Sequence, residues 1–172
     1  LATLYMERNL YGDWDRAEEL YIKAITIGEK KLGNGHPDVA IAYCNLASLY
    51  RERNSPGDWD NAEVLVVGAV HILETALGKD HPDTASAYIN LASLYMDNNL
   101  KKNLNKAERF LLMAKTVFER VYGVKHPNTI KVYQRLMILY GDRKQLGDRE
   151  RSLEYFYKSN TKKQLRELSF LK

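Results

Sequence analysis

Three His-Pro pairs, His36-Pro37, His81-Pro82 and His126-Pro127, stand 45 residues apart, and imidazoles at a fixed spacing invite a metal reading. Geometry argues against it. Ligands of one zinc ion lie about 2.0–2.1 Å from it, whereas neighbouring helices pack about 8–10 Å apart. Equivalent residues of successive units cannot share one ion. Each histidine is better placed as a helix cap, with proline at the first helical position, where its missing N–H costs nothing. His71 has no partner at ligand spacing, and nothing in the sequence fixes a histidine or cation beside the single cysteine, Cys44, which reads as a packing residue. No Gly-rich phosphate loop, Gly-x-Ser-x-Gly or His-Glu-x-x-His occurs. No catalytic residue, metal or cofactor is expected, so the chain is not expected to be an enzyme. One charged pair has a suggestive spacing. Lys131 and Arg135 stand at i, i+4, on one face of a helix, where a planar fork and a mobile point charge together suit carboxylates.

The elements that position these residues follow from an internal repeat. Leu46-Ala47-Ser48-Leu49-Tyr50 returns as Leu91-Ala92-Ser93-Leu94-Tyr95, foreshadowed at Leu1-Ala2-Thr3-Leu4-Tyr5 and echoed at Leu136-Met137-Ile138-Leu139-Tyr140. A fixed period in the range of about 20–50 residues marks an array of stacked supersecondary units. In the unit from His36, apolar residues at Val39, Ala42, Tyr43, Leu46, Ala47, Leu49 and Tyr50 form a helical stripe. This predicts an A helix over 37–53. Asn54-Ser55-Pro56-Gly57 breaks it. A B helix then runs to 77, with Ala62, Leu65, Val66, Ala69 and Ile72 inward and Gly78 as its left-handed stop. Asp13, Asp58, Asn103 and Asp148 are its expected N-caps in the four copies. Ala17, Ala62, Ala107 and Ser152, then Ala24, Ala69, Ala114 and Ser159, mark where paired helices approach closely. The expected boundaries are a truncated first unit at 1–35, then 36–80, 81–125 and 126–172, the last with a C-terminal capping helix. Leu165, Leu168 and Leu171 give that final stretch an amphipathic pattern among Lys162, Lys163, Arg166 and Lys172.

Bulk properties narrow the class. The 172 residues suit one domain. A net charge of +4 tilts the partner toward acidic surfaces without demanding nucleic acid. No apolar run approaches the roughly 18 residues of a membrane span, and no leader-like segment opens the chain. The chain starts inside the repeated motif, so a fragment of a longer protein is expected. One cysteine cannot form an intrachain disulfide, so an intracellular, cytoplasmic setting is expected.

The motifs carry a resemblance. Gly12-Asp13-Trp14-Asp15-Arg16-Ala17-Glu18, Gly57-Asp58-Trp59-Asp60-Asn61-Ala62-Glu63 and Asn-Leu-Ala-Ser-Leu-Tyr at 45–50 and 90–95 resemble tetratricopeptide repeats. The Leu-Gly-x-x-His-Pro-Asp connectors at 32–38 and 77–83, with a looser copy at 122–128, resemble the kinesin-light-chain-like subclass. The turn between helices A and B is longer here than in that subclass, and the last unit lacks the connector. The resemblance implies an all-α, right-handed superhelical solenoid of antiparallel helix pairs, about 3.5 repeats and seven helices, whose A helices line a concave groove. It implies a non-catalytic adaptor or scaffold that holds a peptide or helix.

In that family the residue before the first motif leucine often faces the groove. Here it is Asn45, Asn90 and Arg135, whose side chains can hydrogen-bond an extended backbone. The same asparagines could instead bond a neighbouring helix. With Lys131 and Arg135, Asn90 resembles part of a carboxylate clamp, but Cys44 and Ser48 stand where the first-repeat Lys and Asn belong, which leaves two readings: a weaker basic pocket for Asp, Glu or phosphate, or two solvated cations. Ser48, Arg51, Ser93 and Met96 share the A-helix face, with Ile41 and Ile138 as apolar neighbours. Three rival readings remain, one of them an enzyme whose chemistry lies outside this stretch of sequence. Nucleic-acid binding would need exposed stacking aromatics, whereas most tyrosines recur at packing phase. Self-association would use apolar faces bared at the ends of the array.

Overall fold

The computed structural model describes residues 2, 4, 5, 12–97 and 101–160. Every regular element among them is a helix: α1 (Asp13–Leu32), α2 (Pro37–Arg53), α3 (Asp58–Leu77), α4 (Pro82–Asp97), α5 (Lys101–Tyr122), α6 (Pro127–Arg143) and α7 (Asp148–Ser159). Ala2, Leu4 and Tyr5 are also helical. The amphipathic stretch at 161–172 lies outside the described residues. Contacts fall into two compact units, residues 1–94 and 95–172.

The A helices open as their His-Pro pairs dictate. His36, His81 and His126 each accept, through Nδ1, the backbone N–H two residues on, at 3.2, 3.1 and 3.2 Å. His36 and His126 are extended and precede a proline at the helix start. The imidazoles are engaged as caps, one per A helix. The B helices stop at Gly33, Gly78 and Gly123, whose φ of +89°, +85° and +83° suits glycine. Each N–H closes on the carbonyl of a glutamate four residues back.

The expected aspartate N-caps are corrected. The caps of α1, α3 and α7 are Gly12, Gly57 and Gly147, all left-handed and without a side-chain bond. Helix α5 starts at Lys101, two residues before Asn103. Asp58 and Asp148 fall just inside their helices and are buried, because an arginine five residues earlier takes each carboxylate in a two-pronged pairing. Their Oδ2 atoms also accept the N–H of Ser55 and Gln145, which closes each turn.

Within the first unit the core is Val39, Ala40, Leu46, Leu49, Ala62, Val66, Ala69, Leu73, Ala85 and Tyr88. The buried face of α3 is rotated slightly from the expected one: Val70 and Leu73 are buried, Leu65 and Ile72 half-buried. In the second unit Leu111, Ala114, Val132, Tyr133, Leu136 and Leu139 do the same work. Ala17, Ala62 and Ala107 are sealed, as their small size requires, but Ala24 is exposed.

A second periodic feature ties each B helix to the following A helix. Tyr43, Tyr88 and Tyr133 donate to Glu29, Glu74 and Glu119, each at 2.6 Å. Thr84 and Thr129 donate to the carbonyls of Gly78 and Gly123 at 2.8 and 2.9 Å. Burial and the facing glutamates push the Tyr88 and Tyr133 phenols well above their ordinary range. These three tyrosines are therefore committed to packing and to carboxylates.

Candidate functional site

In the first unit, α2 and α4 carry five of the sequence-selected residues. Val39, Leu46, Ala47, Leu49 and Tyr50 are buried on one side of α2. This leaves Ile41, Asn45 and Ser48, spaced by four and three, along its outward face. Ile41 and Asn45 are exposed, and Ser48 is half-buried with its hydroxyl donating to the Cys44 carbonyl at 3.0 Å. Ser48, Arg51 and Asn90 come together at a narrow crevice floored by Ala47, Ala62, Val66 and Leu94. Its volume of about 10 Å³ is room for about one water. This is a seam between helices, not a small-molecule site.

Asn90 is half-buried and hydrogen-bonds the Cys44 sulfur. Burial pushes the Cys44 thiol up, and Asn90 only partly offsets that. Asn90 thus lies beside Cys44, whereas Asn45 is exposed. Ser93 differs from the expected surface role. It is 2% exposed, and its Oγ donates to the Ile89 carbonyl at 2.7 Å. A hydroxyl after a bulky aliphatic turn satisfies itself on the helix instead of facing a ligand. Met96 is half-buried.

In the second unit, α6 buries Val132, Tyr133, Leu136 and Leu139. The remaining face presents Lys131, Gln134 and Ile138, all exposed, with Arg135 half-buried among them. Positions i, i+3, i+4 and i+7 form one stripe, cationic at its start and apolar at its end. Gln134 was not marked by the repeat, because its counterparts, Cys44 and Ile89, are apolar. Helical phase alone would have found it. Lys131 and Arg135 share this face, whereas the corresponding stripe of α2 is neutral.

Comparison with known proteins fits this geometry. A family model described as tetratricopeptide repeat matches residues 9–56. A second model of the same description matches residues 39–83 and 84–128. No curated protein matches the sequence. Among solved structures, BtubC (BKLC) from P. vanneervenii is similar at a TM-score of 0.76 and 24% identity, covering 92% of this chain and 58% of that one. A Podosopora anserina protein described as a kinesin light chain with nearly identical TPR-like repeats is similar at 0.74 and 21% identity. It covers 92% of this chain and 71% of that one. A point variant of the same Podosopora anserina protein gives 0.75 and 22%, with coverage of 92% and 70%. The shared feature is an all-α helical-repeat solenoid. The chain spans little more than half the length of the BtubC chain.

Proposed function

The chain belongs to the tetratricopeptide repeat family, whose repeats are in general protein–protein interaction scaffolds, and on that premise we propose that it is a non-catalytic module holding a peptide or helix of acidic character on the outward stripes of its A helices. The observation that carries the reading is the face of α6, where Lys131, Gln134, Arg135 and Ile138 lie together beside a fully packed core. Two cations one turn apart give charge-assisted bonds to carboxylates, and Ile138 gives an apolar side chain somewhere to rest. In the first unit, Ile41, Asn45 and Ser48 offer a neutral counterpart suited to backbone amides and carbonyls.

The test is direct. A fluorescein-labelled peptide of alternating glutamate and leucine is titrated with the parent chain and with the K131E/R135E double variant, while anisotropy is followed. The charge reversals are expected to weaken binding by about tenfold or more, about 1.4 kcal/mol. Equal affinity in a folded double variant sinks the site. An Asn45→Ala variant tests the first unit separately, and its expected loss is smaller, in keeping with a neutral hydrogen bond.

A further inference from the structure

Three of the chain's four prolines follow histidine and open A helices, and the fourth, Pro56, follows Ser55 in the turn between α2 and α3. The turn does not require that dipeptide. Its counterpart in the second unit is Lys144-Gln145-Leu146-Gly147. Both turns open on a left-handed residue, at φ of +51° and +52°, and close on a left-handed glycine, at +85° and +81°. Gln145 makes the same backbone bond to Asp148, at 2.8 Å, that Ser55 makes to Asp58, at 2.9 Å. The fold therefore has no need of the Ser55 hydroxyl or the Pro56 ring.

Their placement suits modification. Asn54, Ser55, Pro56 and Gly57 are all exposed. Ser55 is held through its backbone: its N–H donates to Asp58 Oδ2, and its carbonyl accepts the Asp58 N–H at 3.0 Å. Its hydroxyl takes no part in these bonds. Pro56 brings a fixed φ and no N–H, the combination that proline-directed kinases select after the acceptor residue. The charges beside the hydroxyl are unbalanced. One guanidinium, Arg53, faces three carboxylates, Glu18, Asp58 and Asp15, at 2.6, 2.7 and 3.9 Å. Asp58 is 3% exposed.

We propose that Ser55 is a phosphorylation site for proline-directed protein kinases, and that its phosphate loosens the Arg53 clamp of the first unit. In the transfer, Ser55 Oγ bonds to the γ-phosphorus of ATP and the bond from that phosphorus to the β,γ-bridging oxygen breaks. ADP leaves, and the hydroxyl proton passes to the kinase's catalytic carboxylate. The product carries about 1.5–2 further negative charges. Two carbons join Oγ to the N–H that Asp58 accepts, so the phosphate arrives inside the screening length of about 8 Å at physiological salt. There it repels Asp58 and competes for Arg53. Both effects leave a buried carboxylate with less of its partner. The clamp joins α1, α2 and α3, so the loss falls on the first unit. The second turn, with Gln145 in that place, has no acceptor.

Incubation of the full chain with a mitogen-activated protein kinase and Mg-ATP tests this, read by mass spectrometry and then by urea unfolding. One phosphate is expected, on Ser55, and none on the Ser55→Ala variant. Pro56→Ala, which takes the ring from the kinase's pocket, should slow incorporation by about tenfold or more. The phosphorylated chain should show an unfolding constant raised by about fivefold or more. That rise should shrink at about 1 M salt, where the screening length falls to about 3 Å. Absence of phosphate on Ser55 overturns the site. A phosphorylated chain as stable as the parent, or more stable, overturns its action on the clamp.

Discussion

The turn at Asn54–Gly57 in the first unit and the turn at Lys144–Gly147 in the second share one backbone and differ in burial. Asn54 and Lys144 have φ of +51° and +52° with the same ψ of 39°. In the first turn, Arg53 keeps 20% of its side chain exposed and divides its fork between Glu18 and Asp58, at 2.6 and 2.7 Å. In the second, Arg143 is 3% exposed and joins Glu108 and Asp148, whose side chain is 1% exposed. Arg143 also donates to Asn105 at 3.0 Å, and Arg151 approaches Glu108 at 3.5 Å. Tyr140 lies beneath both arginines and stacks on Tyr155. The same motif can therefore be partly watered or fully desolvated. Desolvation raises the cost of breaking a pair far more than the net benefit of having it.

The largest effect should come from removing the cation. Arg143→Ala leaves Asp148 and Glu108 without their partner in a dry site and is expected to cost about 3–5 kcal/mol. Arg53→Ala also strands the buried Asp58 but lets water reach the more open site beside Glu18, and should cost less, about 1.5–3 kcal/mol, the range of a hydrogen bond to a charged group. Urea unfolding of both variants measures the difference. Equal losses would break the comparison, because burial would then not govern the strength of the clamp.

This clamp marks the boundary of what the sequence made legible. The 45-residue repeat placed α2 at 37–53 and the end of α3 at Leu77, because periodic apolar residues and Gly or Pro punctuation report local structure. Asp58 was read as a cap because aspartate before a helix is a strong local signal, and local signals are silent about a guanidinium that folds back from Arg53. A trace of the pairing is nonetheless in the repeat. Arg8, Arg53 and Arg143 go with Asp13, Asp58 and Asp148, and in the remaining copy both positions are asparagine, Asn98 and Asn103. On the candidate face, Lys131 and Arg135 were visible as an i, i+4 pair. The burial of Ser93 was not, since it depends on how far each turn of the A helix is covered.

A smaller effect separates the two tyrosines. Burial, then the hydrogen bond to Glu18 and its charge, pushes the Tyr50 phenol up to about 12. Burial also comes first for Tyr140, which is raised further, with Glu108 adding to it. The fold favours the neutral phenol, so this stabilisation is complete below pH 10 and is lost as pH rises from 10 through about 12. Tyr140→Phe should cost about 2 kcal/mol at neutral pH and Tyr50→Phe about 1 kcal/mol. Each should flatten the alkaline decline, which stability curves at pH 8, 10 and 11 would resolve. A decline unchanged by either variant would assign it to other groups.

The smallest expected difference lies in the backbone of the two turns. A left-handed residue with a Cβ costs about 1–2 kcal/mol, and asparagine is relieved of part of that by its short polar side chain. Lysine has no such relief, so Lys144 carries more strain than Asn54 at nearly identical φ. Glycine removes the strain but loses about 0.5–1 kcal/mol in chain entropy. Lys144→Gly should therefore stabilise by about 0.5 kcal/mol, and Asn54→Gly should be neutral within error. Paired melts of the two variants decide it. Equal shifts would mean that the turns are strained alike, leaving burial of the arginine as the whole difference between them.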